Sequence, residues 1–588
     1  VELSADQQEY DTLQRVVTAV GNVLLNYRAA QLKADRVQTL VGPKQVIAEG
    51  NVQLIRGEQV LQGDRLEYQL DQNQGVLFKP SGIINLPTTR EDFSPETPAT
   101  NRTGNNPLTS IRDSLQLTAP AAIETKDGLQ RLRFEADRIE FTGETWTATN
   151  VRITSDPFSP PELEVRADQA QLQRISNQED VVTLKRPRLV FDQQVSLPIP
   201  RSKIVLSRKR EDPFSVSLGF DDRDRGGLFI GRQFTAISNR AFTLSFTPQI
   251  FVQRAILEQE FNFLSPDVYG LDISLKSEIS ERTKLGGYVA LRSFDFSDFA
   301  NNVRAGLRLA HSIDEYQLAF EAAYRERVFN GSLGEQTIQS RAGVIFNAPT
   351  RTIGKTGIEL RYRLSAEYIT AETDPNLFGG TELISLGRFQ GSASLQRTFD
   401  LWRGKTLPPT ATEGLRYTPR PIQPSLQLIA GVTGVVSGYS NGDLQSSLIG
   451  SIKLQGQFGH FSRDTLDYTG FFIGFSQGLR GGESPFLFDR FVDEQVLSGG
   501  FLQQVYGPFR LGFQTSVNLS SGELFNTDII LDYSRRTYGI TLRYNPVLQI
   551  GSLVFRINSF NWLSNPDPLT GPEVGVVEGG VGQTNSPF

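Results

Sequence analysis

Asp6, Asp35 and Asp64 stand 29 residues apart, in Ala5-Asp6-Gln7, Ala34-Asp35-Arg36 and Gly63-Asp64-Arg65. A second mark keeps the same interval, since Gly21-Asn22-Val23 recurs as Gly50-Asn51-Val52. A fixed period of this size predicts one supersecondary unit laid on the next, each covering an apolar face that it cannot bury alone. Around the glycine mark, Val17, Ala19, Gly21, Val23 and Leu25 alternate with more polar or variable positions. Val46, Ala48, Gly50, Val52 and Leu54 repeat that set one period later. Alternation means strands, with the two sets in register on one wall. Leu66 and Tyr68 after Asp64, and Ile139 and Phe141 after Asp137, follow the same rule. A single Asp or Asn more often builds a turn between strands than a site; the interval is what argues for a repeat. The wall forms a dry core if it closes and an apolar trough if it stays open, and the sequence leaves both readings standing.

The pattern lapses over 86–113 into LPTTREDFSPETPATNRTGNNPLTSIRD, rich in Pro, Thr and Asn, which reads as a loop or disordered insertion. It resumes in FEADRIEFT, TATNVRITS and VRADQAQLQ, with Asp137 and Asp168 now 31 apart. Residues 1–195 therefore read as one β-domain. Helices are not expected, because no stretch keeps the i, i+3, i+4, i+7 apolar spacing beyond a turn or two.

From about Arg201 to Trp562 the text changes to segments of roughly 10–15 residues in which apolar or aromatic residues alternate with polar ones, the length and pattern of tilted membrane strands. AFTLSFTPQIFV, NVRAGLRLAHSI and GIELRYRLSAEYIT are examples. In the second, Arg304 and Arg308 share one face while Val303, Ala305, Leu307 and Leu309 take the other. Many long strands with little helix between them would leave unpaired edges unless the sheet closes on itself. Segment counting gives roughly 20 strands, an even number, for a barrel over 196–562. LWRGKTLPPTATEGLRYTPRPIQPS at 401–425 and GLRGGESPFLFDRFVDEQ at 478–495 are too long or irregular for turns and read as loops that cover or plug the lumen. The Gly/Pro-rich tail at 563–588 does not continue a sheet.

Composition narrows the function. A chain of 588 residues exceeds what one core serves. Cys 0 excludes disulfides, thiolate metal sites and a cysteine nucleophile. Met 0 and a start at Val1 make the lack of a signal peptide uninformative. A net charge of −6, without a long basic run, argues against nucleic acid as a partner. The two histidines, His311 and His460, lie in strand-like segments away from any Ser or Asp constellation, and no phosphate loop, dinucleotide fingerprint or zinc spacing occurs. No enzyme activity, cofactor or metal is expected.

VTAVGNVLL, LKADRVQTL, VIAEGNVQL, LQGDRLEYQ and FEADRIEFT, with VSLPIPRSKIVLSR and SLGFDDRDRGGLFIGRQF at the junction, resemble the outer-membrane lipopolysaccharide assembly translocon, the LptD or OstA-like family. The likeness covers most of the chain. It implies an all-β protein: an N-terminal periplasmic β-jellyroll of stacked strand repeats, followed by a large antiparallel transmembrane β-barrel in the outer membrane. The family implies 26 strands, so the expectation is roughly 20–26. It also implies transport of lipopolysaccharide or a related glycolipid. A periplasmic OstA-like bridge protein delivers the lipid to an apolar groove, the barrel opens sideways between its first and last strands into outer-membrane lipid, and a plug lipoprotein sits in the lumen.

By that analogy Val17, Val23, Leu25, Val46, Val52, Leu54, Leu66, Tyr68, Ile139 and Phe141 line the groove. Pro198, Pro200 and Pro213 weaken pairing at the seam, since proline offers no ladder N–H. Better-known members join the two domains through cysteines; here the restraint has to be noncovalent, which marks a divergent member. The rival reading is a large outer-membrane porin or a ligand-gated receptor barrel for solutes, which has no use for an acyl-length apolar wall.

Overall fold

A computed structural model of the chain describes residues 2–27, 30–57, 59–72, 74–85, 124–126, 131–142, 145–176, 179–199, 202–206, 216–238 and 241–558. The 86–113 insertion and the 563–588 tail lie outside them. The described residues form two sheets, antiparallel apart from one short parallel pairing of Glu124–Lys126 with the second; the other strands of the first end at Leu206 and those of the second start at Val216. Helices are single turns such as Asp222–Arg225 and Pro375–Phe378.

The N-terminal sheet follows chain order, each long strand pairing with the next. Val16–Tyr27, Ala30–Leu40, Gln45–Arg56 and Gln59–Gln69 are its first complete strands, so one 29-residue period is a pair of them. Each long strand is interrupted midway. On alternate strands the interruption is a residue in left-handed backbone: Asn22, Asn51, Lys79, Asn150 and Arg186, with φ of 44°, 45°, 45°, 51° and 50°. On the strands between them stand Asp6, Asp35, Asp64, Asp137 and Asp168, and each aspartate holds the left-handed residue that follows it in this series. Asn22 and Asn51 donate Nδ2 to Asp6 and Asp35 at 2.9 Å. Asn150 donates to Asp137 at 2.6 Å, Lys79 Nζ lies 2.8 Å from Asp64, and Arg186 pairs with Asp168.

The two sequence marks are thus the two halves of one clasp, repeated five times across the sheet. The extra residue at each clasp shifts the register, as between Val20 and Val23. A bulge bends the strand that carries it, and a row of bulges in register bends the whole sheet. Residues from both sides of the row accordingly meet in one apolar cluster. Ala19, Val37, Val46, Ala48, Leu66, Leu77 and Ile139 come from one side, Val23, Leu32, Ala34, Val52, Leu61 and Phe134 from the other.

The second sheet closes into a barrel of 18 strands, from Val216–Asp221 to Ile550–Asn558. Gly227–Arg232 and Phe234–Ser238 count as one interrupted strand, because both pair with Phe242–Ile250. The number falls below the expected 20–26 because several strands are long: Leu383–Arg403 alone takes 21 residues. Burial is reversed relative to a soluble sheet. Leu307, Phe320, Tyr368, Phe389, Ile473 and Leu531 are exposed, while Glu321, Arg341, Glu367, Arg388 and Asp532 are buried. Only an apolar surroundings on the outside makes this alternation stable. Aromatic pairs such as Trp402–Phe458 at 5.8 Å and Tyr316–Phe346 at 5.4 Å edge the belt at the end nearer the N-terminal sheet.

Gly50 carries φ +75°, and a Cβ there would run into the Asp35 carboxylate. Gly50→Ala is therefore expected to cost about 2 kcal/mol, whereas Asn51→Gly, which keeps the backbone and loses one exposed hydrogen bond, costs under about 1 kcal/mol. Urea titration of the full chain in detergent, read at Trp146 with Trp402 and Trp562 changed to Phe, measures both.

Candidate functional site

The inward wall of the bent sheet contains most of the residues expected at a groove. Val23, Leu25, Val46, Val52, Leu66, Ile139 and Phe141 are buried in the apolar cluster, and Leu54 and Tyr68 pack against it half-buried. Val17 is half-buried and stands outside the cluster. These side chains fill the space between the two halves of the sheet and touch one another, so the wall is closed on itself in this conformation.

A second apolar cluster carries that wall to the barrel. Leu163, Val165, Leu189, Phe191 and Ile199 from the end of the N-terminal sheet pack on Tyr533, Tyr538, Phe555 and Ile557 of the barrel. Phe191 is the pivot, with ring centroids 5.2 Å from Tyr538 and 5.8 Å from Phe555, both edge-on. The two clusters are joined across the sheet, since Ile153, which packs on the first, is the register partner of Val165 in the second. Phe555 belongs to the last barrel strand. The inward wall therefore runs without a polar break to one particular place on the barrel rim.

That place is the seam. The first and last strands pair only as Leu218–Leu553, Gly219–Ser552, Phe220–Gly551 and Asp221–Ile550. By comparison, Ile358–Glu372 pairs with its neighbour at every residue. Among the described residues, the last strand has no partner from the first strand below Leu553, and Glu124–Lys126 pairs with Arg556–Asn558 in parallel there. Pro198 is not a seam residue: it closes Val195–Pro198 in the N-terminal sheet, opposite Arg188. Pro200 and Pro213 lie outside the described residues. What thins the seam is short pairing, four residue pairs among the described residues.

With no cysteine available, charge fixes the two domains together. The barrel turn after Leu524–Ser534 sends Arg535 and Arg536 into the N-terminal sheet. Arg536 Nε lies 2.8 Å from Asp156 and Nη1 3.1 Å from Glu162, while its backbone N–H donates to Glu162 at 2.9 Å. Arg535 Nη2 lies 2.5 Å from Asp192 and 3.2 Å from Glu162, and Tyr538 donates to Asp192 at 2.7 Å. Three carboxylates share two guanidinium groups. Burial pushes the Glu162 carboxyl up to about 7 against the pull of Arg535 and Arg536, and Asp156 and Asp192 push in the same direction as burial. Sequence reading missed these residues, because their partners stand more than 340 positions apart.

The lumen is lined with paired charge. Near the seam, Arg304 lies 2.8 Å from Asp224, and Arg327 lies 3.1 and 3.0 Å from Asp221 and Asp224. Further round, Arg341 bonds Glu321 at 3.0 Å and Glu367 at 3.2 Å, and Arg388 bonds Glu367 at 2.6 Å. Arg304 and Arg308, which the alternation set on one face, both point inward to such partners. No metal-holding group of acidic or histidine side chains occurs among the described residues.

Residues 126–561 match the family model described as protein of unknown function DUF3769. The chain belongs to that family, an OstA-like one. It is also 27% identical over 259 residues to the LPS-assembly protein LptD of Albidiferax ferrireducens, covering 41% of this chain and 29% of that relative. The match thus spans under a third of the relative's length. The large barrel and this likeness together support a place in the outer membrane.

Because Glu162 binds its proton more tightly in the assembled contact than in the free chain, the assembled state holds the extra proton between about pH 4.5 and about 7. The contact is expected to weaken as pH rises through that window. Glu162→Gln, which mimics the protonated group, should flatten the dependence. Limited proteolysis of the intact chain, followed from pH 5 to pH 8, measures it; an equal slope in both proteins would refute the assignment.

Proposed function

We propose that this chain is an outer-membrane translocon for lipopolysaccharide or a related glycolipid. The N-terminal sheet stands in the periplasm and takes acyl chains from an OstA-like bridge protein onto its inward wall. The barrel then releases the lipid sideways through the seam between Val216–Asp221 and Ile550–Asn558. The observation that carries this reading is the uninterrupted apolar path from the clustered wall, through Leu163 and Phe191, to Phe555 beside a seam held by four residue pairs. An amphiphile needs such a path, because each CH₂ left in water costs about 0.8 kcal/mol. The likeness to an LPS-assembly protein supports the same substrate class.

The wall is closed in this conformation, so an acyl chain enters by parting the two halves about the row of clasps. Val23, Leu25, Val46, Val52, Leu54, Leu66, Tyr68, Ile139 and Phe141 would then touch the lipid, with Val17 at the margin. The charged lumen suits the sugar and phosphate end of the molecule, which cannot follow its tails through an apolar belt.

Photocrosslinking residues at Val23, Val52 and Leu66 are expected to capture glycolipid in cells, while one at outward-facing Arg36 captures none. Labelling at Arg36 alone would count against the inward wall. Cysteines at Leu218 and Leu553, register partners across the seam, are to be joined as a disulfide in a chain with Cys 0. The oxidised form should stop glycolipid reaching the cell surface and leave small-solute conductance unchanged; restoration by reductant completes the test.

A further inference from the structure

The far end of the barrel, away from the N-terminal sheet, is bridged from wall to wall. The turn Gly331–Leu333 follows the seventh strand, Tyr316–Phe329, and lies against the sixteenth, Leu524–Ser534. In a ring of 18 strands these positions are opposite each other. Asp493 is the keystone: one carboxylate oxygen accepts from the Ser332 backbone N–H at 2.9 Å and the other from Asn518 Nδ2 at 2.8 Å. The bridge divides the lumen into a lobe that contains the seam and a lobe walled by the eighth to fifteenth strands.

The lobe away from the seam is already occupied. Residues 483–494, between the thirteenth and fourteenth strands, turn inward instead of outward. Phe486 and Phe488 are buried against Ile338, Ile369, Ala371 and Tyr439 of three different strands. Asp489 accepts from Arg388 at 2.8 Å and from Tyr439 at 2.9 Å, and Arg490 lies 2.8 Å from Asp374. The backbone is tied down as well: Gln445 donates to the Asp489 carbonyl at 2.9 Å and accepts from the Phe491 N–H at 3.0 Å.

The near end of the same lobe is filled by 404–424. There Tyr417 and Ile422 are buried with Phe461, Tyr468 and Leu502, and Tyr417 donates to Asp464 at 2.8 Å. Tyr468 and Leu502 are buried side chains of the wall itself, Phe461 and Asp464 stand in the near-end turn between the twelfth and thirteenth strands, and Gln457 donates to the Gln423 carbonyl at 2.8 Å.

We propose that this chain plugs its own barrel: 483–494 from the far end and 404–424 from the near end fill the lobe away from the seam, which needs no second protein to close it. Among the described residues, this leaves the seam-side lobe as the conduit. The plug lipoprotein that the family resemblance implied is thereby replaced by segments of the chain. A segment anchored by buried charge and aromatic rings on several strands is a structural part and not a mobile lid.

The full chain in planar bilayers tests this. Replacing 484–492 with a short Gly-Ser linker should open the lobe and raise single-channel conductance severalfold, and Asp493→Ala should do so in part. Heat-modifiable migration on gels reports whether each variant is folded. Since the chain has Cys 0, single cysteines give an independent readout that needs no deletion. Phe486→Cys in the otherwise intact chain should react with a charged maleimide at least about tenfold more slowly than Leu264→Cys on an exposed far-end loop, because reaction needs local opening. Equal labelling rates, a folded linker variant with unchanged conductance, or a co-purified protein whose removal opens the barrel with 483–494 intact would each overturn the proposal. None of these outcomes depends on what the barrel carries.

Discussion

The hydrogen bond between an aspartate and a left-handed residue on the next strand is the interaction on which the N-terminal half depends. A single such bond is exposed and weak, worth about 1 kcal/mol. Five in a row, at matched depth across successive strands, fix where every strand takes its extra residue. That decides the line along which the sheet bends, and the bend decides that the inward residues on either side of Asn22 and Asn51 face each other. If the row slipped by one residue, the alternation would turn the apolar set outward. The period of 29 is therefore a register device, and the apolar wall is its consequence.

The barrel solves a different problem with the same alternation. Its outward residues are apolar and exposed, and its inward residues are charged and buried, so neither face is satisfied by water alone. Buried ions cost more than they return unless each is paired and hydrogen-bonded. The lumen meets that condition by sharing: Arg341 serves Glu321, Glu326 and Glu367, and Arg388 serves Glu367 and Asp489. Such networks stiffen the wall through which they run. The seam is the exception, since its ladder is short and ends at Leu553.

Much of the architecture was legible because it is periodic. Alternation in the Arg304–Leu309 stretch gave the charged inward face, and the two repeated marks gave strand pairs. The strand number was overestimated, since the sequence does not show that Leu383–Arg403 runs as one strand through its polar interior. The role of the marks was also hidden: Asp64 pairs with Lys79 and Asp168 with Arg186, so the partner position keeps its backbone conformation while its residue type changes. Pro198 illustrates a different limit. Proline signals the end of a ladder, but its sequence context does not say which sheet that ladder belongs to. The Arg535 and Arg536 contacts left no local trace, because each joins segments far apart in the chain.

The contact between the domains follows from the lack of cysteine. A disulfide holds two bodies at any pH and in any lipid. Three carboxylates competing for two arginines hold them only as firmly as the proton on Glu162 allows, and the apolar cluster around Phe191 supplies the rest. Because Arg535 and Arg536 sit on the turn into Tyr538–Asn545, whose other neighbour is the last strand, a shift of the N-terminal sheet is passed to the strand bordering the seam. An amphiphile that parted the inward wall would strain the same contact from the other side. On the proposed reading, loading of the wall and loosening of the seam would be joined mechanically through this one short turn, without a covalent link.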